Sequence, residues 1–354
     1  MMRFGAGVPG RGSVRRGLAL LGLPAAWGAA AITYKLVCPL AQQTGLGARI
    51  VTSAVFFAVG TGIVLRVRRA LLSELRQVRR VAGAAQEALL GPLPGKVGGL
   101  EVAAAQLSAE RGACIGGDLY DVIATEHGVR VVMGDVRGHG LAAIGTVAAV
   151  LGSFREAVHD ERDLAGVLRR LERALARHLR QRACPGQPAT GPDGPAGEEF
   201  VTVLLLEIRR DGDVRALNCG HPRPHLLRDG QVEAVDLGEP LPPLGPFPLP
   251  ADLGAMAVGR LRPGDTLFLH TDGADDARDP HGRFFSLADA LRAAVRDGPE
   301  PPQTVLGAVW TRLLRHTGGR PTDDVAMLAL RDPCRTAALP LPGGPVGQGA
   351  CHIP

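Results

Sequence analysis

Residues 129–140 read VRVVMGDVRGHG, and the fold turns on them. Val129–Met133 is a short, Val-rich apolar run of strand type. Asp135 closes that strand, and the glycine-punctuated turn after it leads into a small-residue stretch, Leu141–Val158, that predicts a helix. A carboxylate at such a junction is held at a rigid sheet edge. The arrangement recurs. IGGDLYDV (115–122) places Asp118 and Asp121 just before a strand, and TLFLHTDG (266–273) ends the strand Thr266–His270 on Asp272. TDDVAMLAL (322–330) opens the strand Val325–Leu330 with Asp323 and Asp324. Further strands are expected at Val201–Ile208 and Val214–Asn218, and helices at Leu164–Arg182, Leu287–Val295 and Thr304–Leu314. One such Asp is usually a turn or cap residue. Four strand-edge sites in one domain suggest more, because carboxylates without basic partners repel one another unless a cation neutralises them. All-oxygen donor sets suit magnesium or manganese.

The 354 residues are 45% hydrophobic, enough for a sizeable core, which excludes a wholly disordered chain. The formal net charge of +5 and the pI of about 9.1 conceal two opposite parts. Residues 1–99 hold 13 Lys/Arg against two acidic residues, a net of +11, and the rest holds 27 against 33, a net of −6. With aromatic residues at 4%, there is little material for base stacking, so no nucleic-acid partner is expected. Cys38, Cys114, Cys184, Cys219, Cys334 and Cys351 are scattered without a CxxC pair, a pattern of reduced thiols rather than a disulfide framework.

The basic part has its own pattern. Residues 17–34 and 50–65 are uncharged runs of 18 and 16 residues, near the ~17–25 residues of a membrane span. The expectation is a two-helix transmembrane hairpin in residues 1–65, with spans at about 17–34 and 48–65. Arginines cluster before the first run and after the second, which places both ends in the cytoplasm. A signal peptide over 11–31 is the rival reading, and it leaves the bulk of the chain on the same side. Residues 66–96 read as a basic juxtamembrane linker helix ended by Gly91-Pro92 and Pro94-Gly95, and a homodimer through this helix is the sharper expectation. Residues 97–332 form the acidic domain, with a Pro/Gly-rich loop at 183–198, and residues 333–354 read as a disordered Pro/Gly-rich tail.

Taken in order, IGGDLYDV, MGDVRGHG, FVTVLLLEI, LNCGHPRPHLLRDG, LFLHTDGADDARD and TDDVAML resemble the SpoIIE-type serine/threonine phosphatases. These are a bacterial branch of the metal-dependent, type 2C-like protein phosphatases. The likeness covers roughly residues 86–332. It implies an α+β fold, a four-layer αββα sandwich with a dinuclear site holding two Mn2+ or Mg2+ ions at one end. By resemblance, Asp135 bridges both metals and the backbone carbonyl of Val136 binds the second. Asp272 and Asp323 ligate the first, Asp118 acts through a water, and Asp121 and Asp324 are neighbours. The catalytic set is thus Asp118, Asp135, Asp272 and Asp323, activating water for direct attack on a phosphoserine or phosphothreonine phosphorus. The resemblance further implies a phosphoprotein substrate, an anti-sigma-factor antagonist in partner switching. It does not account for the membrane hairpin, and the expected location, the cell membrane with the phosphatase domain in the cytoplasm, comes from the apolar runs and their flanking arginines.

Two positions depart from the family pattern: Asp276 stands where Glu is commoner, and Arg223 interrupts a Pro-rich turn. His139, His221 and His225 read as turn and loop residues, and Arg137 is the arginine nearest Asp135 in sequence. The alternative function is a catalytically silent phosphatase-fold module that binds regulatory partners. A nucleotide cyclase, suggested by GGDLYD alone, has no place for the later blocks.

Overall fold

The computed structural model describes residues 27–30, 32–34, 37, 46–107, 116–138, 141–182, 199–296, 298–319 and 321–333. The chain forms two compact units, residues 1–81 and 82–354.

In the first unit, residues 27–30 and 32–34 are helical, and helix α1 begins at Leu46 and runs to Leu89. Trp27 packs on Phe56 with ring centroids 5.3 Å apart, and its indole N–H donates to the Phe56 carbonyl at 3.3 Å. Tyr34 stacks on the same ring at 5.4 Å. Among the described residues no helix is long and apolar enough to cross a membrane, so the expected pair of spanning helices is not supported. The physical reason lies in α1. Its uncharged stretch, 50–65, would rise only ~24 Å at 1.5 Å per residue, short of a ~30 Å hydrocarbon core. The helix then continues without a break through the arginines from Arg66 onward. The linker is therefore no separate element, because it shares α1 with the apolar run. Most of 17–34 lies outside the described residues.

The second unit is a mixed α+β fold with two antiparallel sheets. Its strands are β1 (Lys96–Val97), β2 (Leu100–Leu107), β3 (Asp118–Thr125), β4 (Gly128–Val136), β5 (Val201–Ile208), β6 (Asp213–Cys219), β7 (His225–Arg228), β8 (Gln231–Ala234), β9 (Met256–Arg260), β10 (Thr266–His270) and β11 (Val325–Arg331). One sheet has the order β1-β2-β11-β10-β7-β8 and the other β3-β4-β5-β6-β9. Helices α2 (Leu141–Asp160) and α3 (Leu164–Arg182) belong with the second sheet. Short α4 (Asp272–Asp275), α5 (Leu287–Ala294) and α6 (Pro302–His316) belong with the first.

Strand alternation explains the layering, since successive side chains point to opposite faces. In β4, Val129, Val131 and Met133 enter the core between the sheets, while Val132 and Val136 enter the core under α2 and α3. In β11, Ala326, Leu328 and Leu330 face the other sheet, while Val325, Met327 and Ala329 face α5 and α6. Both faces are buried, so these strands read as continuous apolar runs. Three stacked cores result, which is the αββα order. The strands β1–β3 and β7–β9 were not anticipated, and Asp118, expected ahead of a strand, is the first residue of β3. The 183–198 loop and the chain from 334 onward lie outside the described residues.

Candidate active site

Strand register assembles the site. Asp118 lies directly opposite Asp135 in the β3–β4 ladder, and residues so paired have Cβ atoms ~4.5–5.5 Å apart. By alternation both share the face of Tyr120 and Met133, towards the opposite sheet. From that sheet, Thr271 and Asp272 follow β10, and Asp323 and Asp324 precede β11. Four separate segments therefore meet at one end of the sandwich.

Glycines allow the close approach. A Cβ on Gly117 would collide with the Val136 carbonyl oxygen and lie 2.7 Å from Asp135 Oδ1, so those two oxygens flank one point. A Cβ on Gly116 would sit 2.6 Å from Asp324 Oδ2, and one on Gly273 would overlap the Asp324 carbonyl oxygen. Only residues without a side chain fit there.

The carboxylates raise one another's proton affinity. Burial, then the charges of Asp135 and Asp324, push Asp118 well above the usual carboxylate range. Burial, with Asp272, Asp323 and Asp324 beside it, lifts Asp135 to about 7. Asp272 is raised by burial and by Asp323 and Asp276. The Thr271 hydroxyl donates to Asp118 Oδ2 at 3.3 Å and accepts the Ala326 N–H at 2.9 Å. Asp118 Oδ1 is buried with no hydrogen-bond partner. A hard divalent cation fits this donor chemistry, with its clustered carboxylate and carbonyl oxygens and the orphaned buried Oδ1 of Asp118. As the side chains stand, among the described residues no three His, Cys, Asp or Glu close on a single metal position.

The site does not include every residue expected there. Asp121 alternates to the helix-facing side of β3 and accepts a 2.7 Å ion pair from Arg155 of α2. It is a structural tie between strand and helix, and its place among the site carboxylates is corrected accordingly. Asp118, Asp135, Val136, Asp272, Asp323 and Asp324 are brought together. His139 lies outside the described residues. Arg137 is exposed, its guanidinium 5.3 Å from the centre of the Phe200 ring. Cys219 is buried and free, its thiol pushed up to about 12 by burial, which makes it inert.

Two polar residues, Thr271 and Thr202, were missed, and His221, read as a loop residue, lies in the loop after β6. Thr271, beside Asp272, was legible only as a neighbour of a site residue. Thr202 and His221 form a relay behind Asp135: the Asp135 N–H donates to Thr202 Oγ1 at 3.3 Å, and Thr202 Oγ1 lies 3.0 Å from His221 Nδ1. Asn218 closes the His221 turn with two hydrogen bonds, of 2.8 and 2.9 Å. No sequence spacing connects Thr202 with Asp135, because only the β4–β5 register pairs them.

Residues 125–332 match the family described as Stage II sporulation protein E (SpoIIE). Among solved structures, the RsbU and RsbW domains of a Mycobacterium tuberculosis protein are 25% identical, with TM-score 0.52, covering 68% of this chain and 62% of that one. The SiaA PP2C domain of Pseudomonas aeruginosa is 22% identical, with TM-score 0.56, covering 74% and 98%. The PP2C phosphatase domain of SpoIIE from Bacillus subtilis, with a fragment of its regulatory domain, is 16% identical, with TM-score 0.50, covering 66% and 63%. The chain thus spans less than two thirds of the first of these.

Proposed function

Because the chain belongs to the SpoIIE family, a branch of the metal-dependent type 2C-like phosphatases, we propose that it is a serine/threonine protein phosphatase working through two Mn2+ or Mg2+ ions. The observation that carries this reading is the convergence of Asp118, Asp135, Asp272, Asp323 and Asp324 with mutually raised proton affinities. Asp135 and the Val136 carbonyl would hold the ions from one sheet, and Asp272 and Asp323 from the other. Bound there, divalent cations supply charge neutralisation and the activation of a water for attack on phosphorus. The chain's own residues do the positioning. Thr271 orients Asp118 through its hydroxyl, Gly116, Gly117 and Gly273 keep the space clear, and the Thr202–His221 relay anchors the Asp135 backbone.

The substrate in this reading is a phosphoprotein, an anti-sigma-factor antagonist in partner switching, in keeping with the RsbU and RsbW relative. The proposed location is the cytoplasmic face of the cell membrane. Its support is the arginine distribution together with exposed apolar side chains on α1 (Phe57 is 77% exposed, and Ile50, Val51 and Val55 are also exposed). Dimerisation through α1 belongs to the same proposal.

Asp135→Ala and Asp272→Ala should each abolish Mn2+-dependent hydrolysis of a phosphoserine protein with circular dichroism unchanged. Full activity in either would reject the assignment. The alternative is a catalytically silent phosphatase-fold module that binds regulatory partners. It is favoured if the unaltered protein binds no Mn2+ by calorimetry and hydrolyses no phosphoester.

A further inference from the structure

Helix α3 has a polar face of one sign. Its 19 residues hold six arginines against Glu172 alone, a net of +5, within a part of the chain, residues 100–354, whose net is −6. One side of the helix buries Leu164, Leu168, Leu171 and Leu175. The other carries Arg169, Arg173, Arg177 and Arg180, spaced four, four and three residues apart and so aligned in one row. Arg173, Arg177 and Arg180 are exposed, and Glu172 is engaged elsewhere, accepting the Leu249 N–H at 2.8 Å. Like charges four residues apart destabilise a helix, and a face that serves only solvation interleaves both signs. Among the described residues Arg173 and Arg177 make no ion pair or hydrogen bond. Such a row complements an anionic partner.

The row ends at the active site. Arg182, the last residue of α3, pairs with Glu199 at 2.6 Å. Glu199 adjoins Phe200, whose carbonyl accepts the Arg137 N–H at 2.9 Å. Arg137 is exposed, with its guanidinium over the Phe200 ring, and it stands two residues from Asp135, ~7 Å along a strand. From Arg173 to Arg182 the helix rises ~14 Å. An extended peptide of about twelve residues, at ~3.3 Å each, is long enough to lie along the row with one end among the site carboxylates.

We propose that this arginine face is the docking surface for an acidic segment of the phosphoprotein substrate, which it leads across Phe200 and Arg137 to the carboxylate cluster. The inference rests on the phosphatase reading of that cluster. The partner's charge follows from the row, because guanidinium groups take carboxylates in bidentate hydrogen bonds. The row's position favours a protein substrate over a lipid surface. It leads to the place where a phosphorylated side chain must arrive, and a substrate held at both points gains affinity and orientation.

Two synthetic phosphoserine peptides of that length provide the test, one with Asp and Glu flanking the phosphoserine and one with Asn and Gln there. The full chain is assayed on both with Mn2+, unaltered and as the double variants Arg173→Glu/Arg177→Glu and Arg173→Gln/Arg177→Gln. At low salt the unaltered protein should prefer the acidic peptide about tenfold or more in kcat/KM. The preference should fall to about one in both variants, and also in about 1 M NaCl, where charges are screened beyond ~3 Å. Equal use of both peptides by the unaltered protein, or a preference kept in the variants, overturns the docking face. Loss of binding to anionic phospholipid vesicles in the variants, with the peptide preference kept, assigns the face to lipid and overturns the proposal likewise. Anisotropy of the labelled peptides with metal chelated reads the same preference in Kd. If neither peptide is hydrolysed the phosphatase reading fails, and that Kd ratio still decides the docking face.

Discussion

Asp135 concentrates the chemistry at the scale of single residues. It faces Asp118 across the β3–β4 ladder, has Asp272, Asp323 and Asp324 within electrostatic reach, and is raised to about 7. The sign of the linkage follows. Folded and metal-free, Asp135 binds its proton more tightly than in the unfolded chain, so its contribution to stability is present in acid and lost as pH rises through about 7. A divalent cation must displace that proton, and its apparent affinity should fall by about tenfold per pH unit below 7. Thermal unfolding with and without Mn2+ at pH 5.5 and 7.5 checks this. The metal-induced rise in Tm should be larger at pH 7.5, and an equal or larger rise at pH 5.5 would count against Asp135 as a ligand.

Between elements, the main polar tie is buried. Arg130 on β4 is fully buried, yet every direction of its guanidinium is used. It pairs with Glu207 on β5 at 2.8 Å and donates to the carbonyls of Val158, Glu161 and Arg162 at and beyond the end of α2. One side chain thus satisfies helix-terminal carbonyls that would otherwise be orphaned, and fixes α2 against the strand that carries Asp135. Arg130→Ala leaves the buried Glu207 with only the half-exposed Arg209 as partner and three carbonyls without their donor, and should destabilise the domain by about 3 kcal/mol, measured as a lowered urea midpoint at constant m. A loss under 1 kcal/mol would show that water replaces the guanidinium. Arg155 makes a lesser tie of the same kind, joining Asp121 on β3 to the Leu89 carbonyl at the end of α1.

At the scale of the whole molecule, the first unit carries exposed apolar side chains on α1, and the second holds three buried cores. If the basic unit is what holds the protein at the membrane, the full chain should sediment with anionic phospholipid vesicles and a chain beginning at residue 82 should stay in the supernatant. Equal sedimentation of both would remove residues 1–81 from that role. The charge of +5 was readable as two opposed halves, and the five central apolar strands and four main helices were readable from their runs, because burial on both faces leaves a Val- and Leu-rich signature. The acidic residues at strand ends were readable because each abuts a glycine or turn. Edge strands such as β8 and β9 left no such signature, since their side chains are largely exposed. By itself the sequence determined which segments are apolar strands and helices and which carboxylates sit at strand ends. Only the tertiary structure decided that Asp118 turns inward while Asp121, three residues on, turns to Arg155, and that Thr202 and His221 stand behind Asp135. Side-chain direction follows the parity of the strand and the register of its partner, and both are properties of chain segments far apart in sequence.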